Sequence, residues 1–311
     1  MKSWIATIMC TAMLAGIAQA EPFAVTDVSR DAEWVVHVDV DGLKGSRIGD
    51  VLMEEMNRKE SAAKLDAVQA IFNFDPREDL SGVTLYGADN RPQTATAVLR
   101  GHFDSERLVT LVRANPAYEN GRSGRHEIHS WIDENNEDAN RVYAGFEGAR
   151  TLVLSESESR VVAALDVLDG DGDSLDPSSE LASTIQGTRA SLFIAAANMA
   201  EMPEIAPEAA MLKKARAFQL ALGAPGDDLE GALRLSTDTV RSAQQVEQIL
   251  RGMVAFAALN DLDQPELAAM AQTVEINRDG SRVECILRHP LDEIIVFLRN
   301  EAERKRDAKE L

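Results

Sequence analysis

Cysteine is nearly absent, with two in 311 residues. Cys10 lies inside an N-terminal apolar stretch, so Cys285 stands alone in the rest of the chain. One thiol closes no internal disulfide and makes no C-x-x-C redox pair, so the fold must rest on its packed core. Aromatic side chains are few, at 5%. Basic side chains fall short of acidic ones, 32 against 52, and only 8 of the basic ones are lysine. The resulting net charge of -20 excludes a nucleic-acid partner from our expectations, because binding a phosphate backbone needs a cationic face to displace counterions. Beyond residue 20 no run reaches 18 consecutive apolar residues, so no transmembrane segment is expected there. The chain also has no G-x-S-x-G, no P-loop and no G-x-G-x-x-G, which removes the usual anchors for acyl transfer and nucleotide binding.

What is present suits a globular protein: 45% apolar and 27% charged residues, with length for about two domains. Residues 1–20 read as a secretory signal peptide. Lys2 gives the positive start, Ile5 to Ile17 the short apolar core, and Ala18-Gln19-Ala20 the cleavage site. Cleavage is expected between Ala20 and Glu21, with a periplasmic or secreted product. Met9, where a lipoprotein signal needs a small residue before its cysteine, argues against lipid attachment at Cys10.

Strand periodicity marks Glu33–Asp41, with Trp34, Val36, Val38 and Val40 on one face. A helical region follows from Ser46 to Ile71. Strands are expected at Gly82–Ala88 and Thr94–Phe103, then a helix capped by Asp104. Three short strands follow, at 126–133, 141–147 and 150–155. Ser155 and Glu158 then suggest a capping box ahead of a helix carrying Val161, Leu165 and Leu168. The second half repeats the order in shortened form. Strand Ala190–Asn198, helix Glu204–Ala215, strands Arg216–Gly223 and Leu229–Ser236, helix Thr239–Leu259, strands 273–277 and 282–288, and a last helix from Pro290 are expected.

Leu85-Tyr86-Gly87-Ala88 echoes Ala221-Leu222-Gly223-Ala224, each before a turn, a strand and a helix. Because hairpins dominate, the expected fold class is α+β: two tandem repeats, each a mainly antiparallel sheet packed with helices. The expected plan is a signal peptide (1–20), a lead-in (21–30), a first repeat (31–172), a linker (173–189), a second repeat (190–300) and a charged helix end (301–311).

Several segments carry a resemblance. They are the opening strand Glu33–Asp41, FDPREDLSGVTLYG at Phe74–Gly87, AVLRGHFDSERL at Ala97–Leu108, FEGARTLVLSESESRVVAALDVLDG at Phe146–Gly170 and SLDPSSEL at Ser174–Leu181. With them the chain resembles an uncharacterised family of secreted bacterial proteins with a duplicated α+β domain of unknown function. The resemblance implies the architecture and brings no catalytic residues.

Chemical motifs are incomplete. Asp169, Asp171, Asp173 and Glu180 fall at positions 1, 3, 5 and 12 of a calcium-loop spacing, where several carboxylates converge on a hard cation. Ser174 occupies the turn position that needs glycine, Asp176 replaces an apolar residue, and Pro177 follows. These four are calcium candidates only, and no metal site or other cofactor is assigned. His126 and His129 are spaced i, i+3 in a strand-like segment, which sends them to opposite faces and against a shared zinc. As strand histidines they are expected to be exposed or half-buried.

Asp39 and Asp41 end an apolar strand as D-x-D, as in haloacid-dehalogenase-like phosphatases, but Leu43 replaces the usual Thr or Val. Asp227-Asp228 could be a late metal pair, though no motif order connects it. Ser61 and Lys64 match S-x-x-K without its S-D-N or K-T-G partners. Cys285 in its strand reads as a small buried hydrophobe. Val254 to Leu259 is apolar nearly all round its helix, which predicts burial between the halves ahead of a partner or lipid groove.

No catalytic residue is assigned. The expected function is a non-catalytic binding or assembly module, acting on an unknown protein or envelope component through its sheet surfaces or inter-repeat cleft. A hydrolase whose carboxylate site forms only in the fold, or a lipid or acyl-chain carrier, is the alternative. Charge is concentrated: residues 131–185 hold 13 acidic and 3 basic side chains.

Overall fold

The computed structural model describes residues 23–89, 91–133, 140–185, 192–199, 215–259 and 265–310. The signal peptide expected at 1–20 and nearly all of the helix expected at Glu204–Ala215 lie outside them.

Twelve strands form one sheet. In chain order they are β1 (Trp34–Asp39), β2 (Leu80–Gly87), β3 (Ala95–Gly101), β4 (Glu119–Ser123), β5 (His126–Ile132), β6 (Arg141–Glu147), β7 (Thr151–Ser155), β8 (Phe193–Asn198), β9 (Ala217–Gly223), β10 (Asp228–Ser236), β11 (Val274–Asp279) and β12 (Arg282–Pro290). Across the sheet the order is β11-β12-β10-β9-β8-β1-β2-β3-β7-β6-β5-β4. Every neighbouring pair is antiparallel. The α+β class with antiparallel strands holds. The expectation of a separate sheet in each half does not, because β1 pairs with β8 from Trp34–Ala197 to Val38–Phe193 and merges them.

Nine helices lie among the described residues: α1 (Val40–Lys44), α2 (Arg47–Met56), α3 (Lys59–Phe72), α4 (Ser105–Val112), α5 (Glu158–Leu168), α6 (Glu180–Ile185), α7 (Val240–Leu259), α8 (Pro265–Gln272) and α9 (Leu291–Glu310). They cover the two faces of the sheet unequally. Over the first half and the centre, α5 and α6 press Val161, Ala164, Leu165, Leu181, Ala182 and Ile185 onto one face, against Val35, Tyr86, Val98, Val153 and Ile194. Each fully buried valine, leucine or isoleucine among them contributes roughly 1.5–3 kcal/mol relative to its exposed state. Contact is close: a Cβ on Gly145 of β6 would meet Leu165 Cδ1 at 2.6 Å.

In the second half the cover changes sides. Ala243, Val246 and Leu250 of α7 pack on Leu235, Val283 and Ile276. Leu235 follows Arg234, which pairs through Gln219 to Ala196 beside Val35, so by the alternation of strands α7 lies on the opposite face from α5. A third cluster joins α2 to α9, with Val51 on Leu291 and Ile295.

Local chemistry moves several expected boundaries. Strand β1 stops at Asp39, whose carboxylate accepts the Gly42 N–H at 2.8 Å and turns the chain into α1, so Val40 belongs to a helix. The expected helix from Ser46 to Ile71 is two helices, broken at Asn57–Arg58. The capping box at Ser155 and Glu158 does not form. Ser155 ends β7, donates to the Ala95 carbonyl and accepts the Ser157 N–H, while Ser157 takes the cap position without a side-chain bond. The Asp104 cap is present, on the Arg107 N–H. Elements β4, α6 and α8 were not expected from the sequence. Helix α6 lies inside the stretch read as a linker, where Leu175, Leu181, Ala182 and Ile185 are buried.

Candidate functional site

The face of the sheet opposite α5 carries two unbroken apolar rows. One runs through Leu222, Phe193, Val38, Val83, Leu99, Leu152 and Phe146. The next runs through Leu220, Ala195, Val36, Leu85, Ala97, Leu154 and Ala144. No ionisable side chain interrupts either row. At their second-half end, Leu233 and Cys285 of the next strands are packed under α7.

At the centre and first half the same rows are open. Val36, Val38, Val83, Ala97, Leu99, Leu152 and Leu154 are half-buried. Leu85 is 38% exposed, whereas its neighbour Tyr86, pointing the other way, is 1% exposed. The contrast distinguishes a covered from an uncovered face.

Beside it stands a second apolar feature. Met253, Phe256 and Leu259 on the outer side of α7 are 52%, 71% and 82% exposed. Burial of Val254–Leu259 between the halves is therefore overturned for this side of the helix. The helix spends Ala243, Val246 and Leu250 on the core and turns the remaining stripe outward.

The residues singled out by motif are not gathered into one site. Arg125 pairs with Asp169 at 2.9 Å and with Asp171 at 2.5 Å. Asp173 pairs with Arg30 at 3.2 Å, and Glu180 with Arg216 at 2.7 Å. The four calcium candidates are thus held by three arginines from different parts of the chain. Among the described residues no group of three or more His, Cys, Asp or Glu is placed to hold a metal ion. Asp39 is a helix cap and Asp41 an ion-pair partner of Lys44. Ser61 and Lys64 lie exposed on α3. Asp227, with Asp228 following at the start of β10, reaches Arg47 at 3.9 Å.

The histidines of β5 do point to opposite faces, but both are buried, which corrects the expectation of exposure. His126 Nε2 lies 2.8 Å from Asp166 Oδ1 under α5, and His129 Nδ1 lies 2.9 Å from the Tyr118 hydroxyl. Each ring has a polar partner, and that is how a buried imidazole is accommodated. Burial lowers the His129 pKa, with Glu127 opposing and Arg113 adding to the shift. Cys285 is part-buried in β12, and burial pushes its thiol up to about 11, far from the range of a nucleophile.

The apolar rows were missed in the sequence as a surface, although their signal was present. Trp34, Val36 and Val38 alternate in β1, and Val83 and Leu85 do so in β2. Alternation identifies a face without saying whether anything covers it.

No protein-family model matches this chain, and none of the curated proteins matches it. Among solved structures, crystal form III of TP0453 is similar at 12% identity, covering 89% of this chain and 98% of that one, with a TM-score of 0.48. Crystal form I of TP0453 is similar at 11% identity, covering 88% and 95%, with a TM-score of 0.46. Crystal form IV gives 8% identity, 89% and 96% coverage, and a TM-score of 0.45. The likeness is distant and assigns this chain no activity. No helix among the described residues is long and apolar enough to cross a membrane.

Proposed function

We propose that this chain is an exported, non-catalytic binding or assembly module of the periplasm or extracellular space, and that it holds a protein partner on the open apolar face of its central sheet. The observation that carries the reading is the pair of cross-strand rows through Val38–Val83–Leu99 and Val36–Leu85–Ala97, free of charge in a chain where 27% of residues are charged. Burying such a face against a partner would gain roughly 25 cal/mol per Å² of apolar area before the costs of association. The signal-peptide reading of residues 1–20 places the partner in the envelope or outside the cell.

The same reading includes a tandem duplication. In the first half the strands lie β1-β2-β3-β7, with α5 following β7. In the second they lie β8-β9-β10-β12, with α9 following β12. Gly87 and Gly223, from the two echoing segments, both end the second strand of their half. These correspondences support two copies of one unit joined edge to edge.

The test is a pull-down from the native envelope fraction with the wild-type chain and with Leu85→Lys. The expected result is one stoichiometric partner retained by the wild type and lost by a variant of unchanged circular dichroism. Equal capture by the folded variant would defeat the proposal.

A further inference from the structure

On the sheet face opposite the apolar rows, the second half opens a polar cleft of about 810 Å³. Its lining includes Arg216, Arg234, Arg278 and Arg282, against Glu180, Asp279 and Glu284. Arg278 borders the cleft through its backbone, because it pairs with Val283 and turns its side chain to Glu247 of α7 on the other face, so three arginines meet three carboxylates here.

The carboxylates are largely spent. Glu180 accepts Nε and Nη2 of Arg216 at 3.0 and 2.7 Å, and Glu284 accepts Arg234 Nε at 2.6 Å. Arg234 also donates through Nη1 to Gln219 Oε1 at 3.0 Å, and Gln219 is wholly buried at the floor. These bonds fix the guanidinium planes and leave some of their N–H groups unspent. Among the described residues Arg216 Nη1 and Arg234 Nη2 donate to nothing. Arg282 has no side-chain partner at all there, and the side chains of Ser236 and Asn277 have none either.

We propose that this cleft binds an oxyanion, a phosphate or carboxylate group of a small molecule, with Arg282 as the principal contact and the unspent donors of Arg216 and Arg234 beside it. Guanidinium is the donor suited to such a ligand: it is always charged, planar and able to offer two parallel N–H bonds. Arginines already oriented by Glu180 and Glu284 lose little freedom when the ligand arrives.

Calorimetric titration of the full chain at low ionic strength, with inorganic phosphate in one arm and succinate in the other, tests the proposal and separates the two ligand chemistries. Saturable binding of at least one is expected, weakening as salt is added. Arg282→Ala should weaken it by about tenfold or more, whereas Arg30→Ala, away from the cleft, should leave it unchanged. Arg282 is exposed on its strand, and an unchanged melting temperature checks that its variant folds. No saturable heat from either oxyanion, or an Arg282→Ala titration matching the wild type, overturns the proposal.

Discussion

His37 Nδ1 and Thr84 Oγ1 lie 2.9 Å apart, side by side across β1 and β2 in the middle of the buried face. The second ring nitrogen, Nε2, is buried with no partner among the described residues. Burial lowers the His37 pKa from 6.5 to about 4, with Asp39 opposing the shift and Arg100 adding to it. The unfolded chain takes up this proton near pH 6.5, while the folded chain refuses it until about pH 4. Stability from this group is thus unaffected above pH 6.5 and falls as pH drops from there towards 4. We expect a loss of roughly 2–3 kcal/mol between pH 7.5 and 4, reduced in His37→Gln. Urea unfolding at stepped pH measures both, and a variant with the wild-type pH profile would contradict the assignment.

The two faces of the sheet should respond differently to truncation. Val98, 2% exposed, sits under α5, and Leu85, on the strand beside it, points to the open face. Val98→Ala is expected to cost on the order of 2–3 kcal/mol, through lost burial and a residual cavity. Leu85→Ala should cost about 1 kcal/mol or less despite removing more atoms. Chemical denaturation of the two variants decides this, and a larger loss at Leu85 would mean that its face is covered.

Gly145 should not tolerate a side chain. A methyl there would lie 2.6 Å from Leu165 Cδ1 and 3.2 Å from Val161 Cγ1, inside contact distance of α5. Gly145→Ala is expected to destabilise by about 1–3 kcal/mol, the cost of overpacking. Leu165→Ala in the same chain should recover part of the loss, a non-additivity that a double-mutant cycle reads directly.

The outer stripe of α7 is expected to be dispensable for folding. Changing Phe256 and Leu259 together to Ser should move the melting temperature little, since both side chains are more than two-thirds exposed. Binding of a hydrophobic fluorescent dye should fall in the same variant. A marked drop in stability would place these residues in the core after all.

Cys285 should behave as a packing residue. With its thiol raised to about 11 by burial, it carries little thiolate at neutral pH, and alkylation of the native protein should be slow. Denaturant should speed the reaction severalfold or more. Rapid labelling of the folded chain would show that β12 opens readily.

The strands were legible wherever apolar and polar residues alternate, as in β1, β2 and β3, or wherever apolar runs are short and bounded, as in β7 and β9. Strand β4, Glu-Asn-Gly-Arg-Ser, carries no apolar residue, and it exists because β5 offers its edge. Helix α6 has six residues set among Ser, Asp and Pro, too few for a period to show. Helix α8 is only eight residues long and begins at Pro265, where turn chemistry dominates the reading.

The site was less legible than the fold. Its residues are neighbours only through ladders that join distant segments, above all Val36 with Ala195 and Leu85 with Ala97. The arginine cleft has the same character, since Arg216, Arg234 and Arg282 come from three separate strands or their flanks. The ion pairs of the acidic loop were hidden for a complementary reason. The spacing of Asp169, Asp171 and Asp173 was visible, but the arginines that engage them are far away in sequence.

The pairing of β1 with β8 governs how this chain can be made. These are the first strand of one half and the first strand of the other, so the middle of the sheet cannot close until most of the polypeptide is present. Until then β1 presents an unpaired backbone edge flanked by Val36 and Val38, a template for strand addition by any other extended chain. Contacts so distant in sequence also form slowly. The seam that unites the finished sheet is therefore the point at which a newly made copy is most exposed to aggregation, and a break in the chain between residues 185 and 192 would leave that edge open for good.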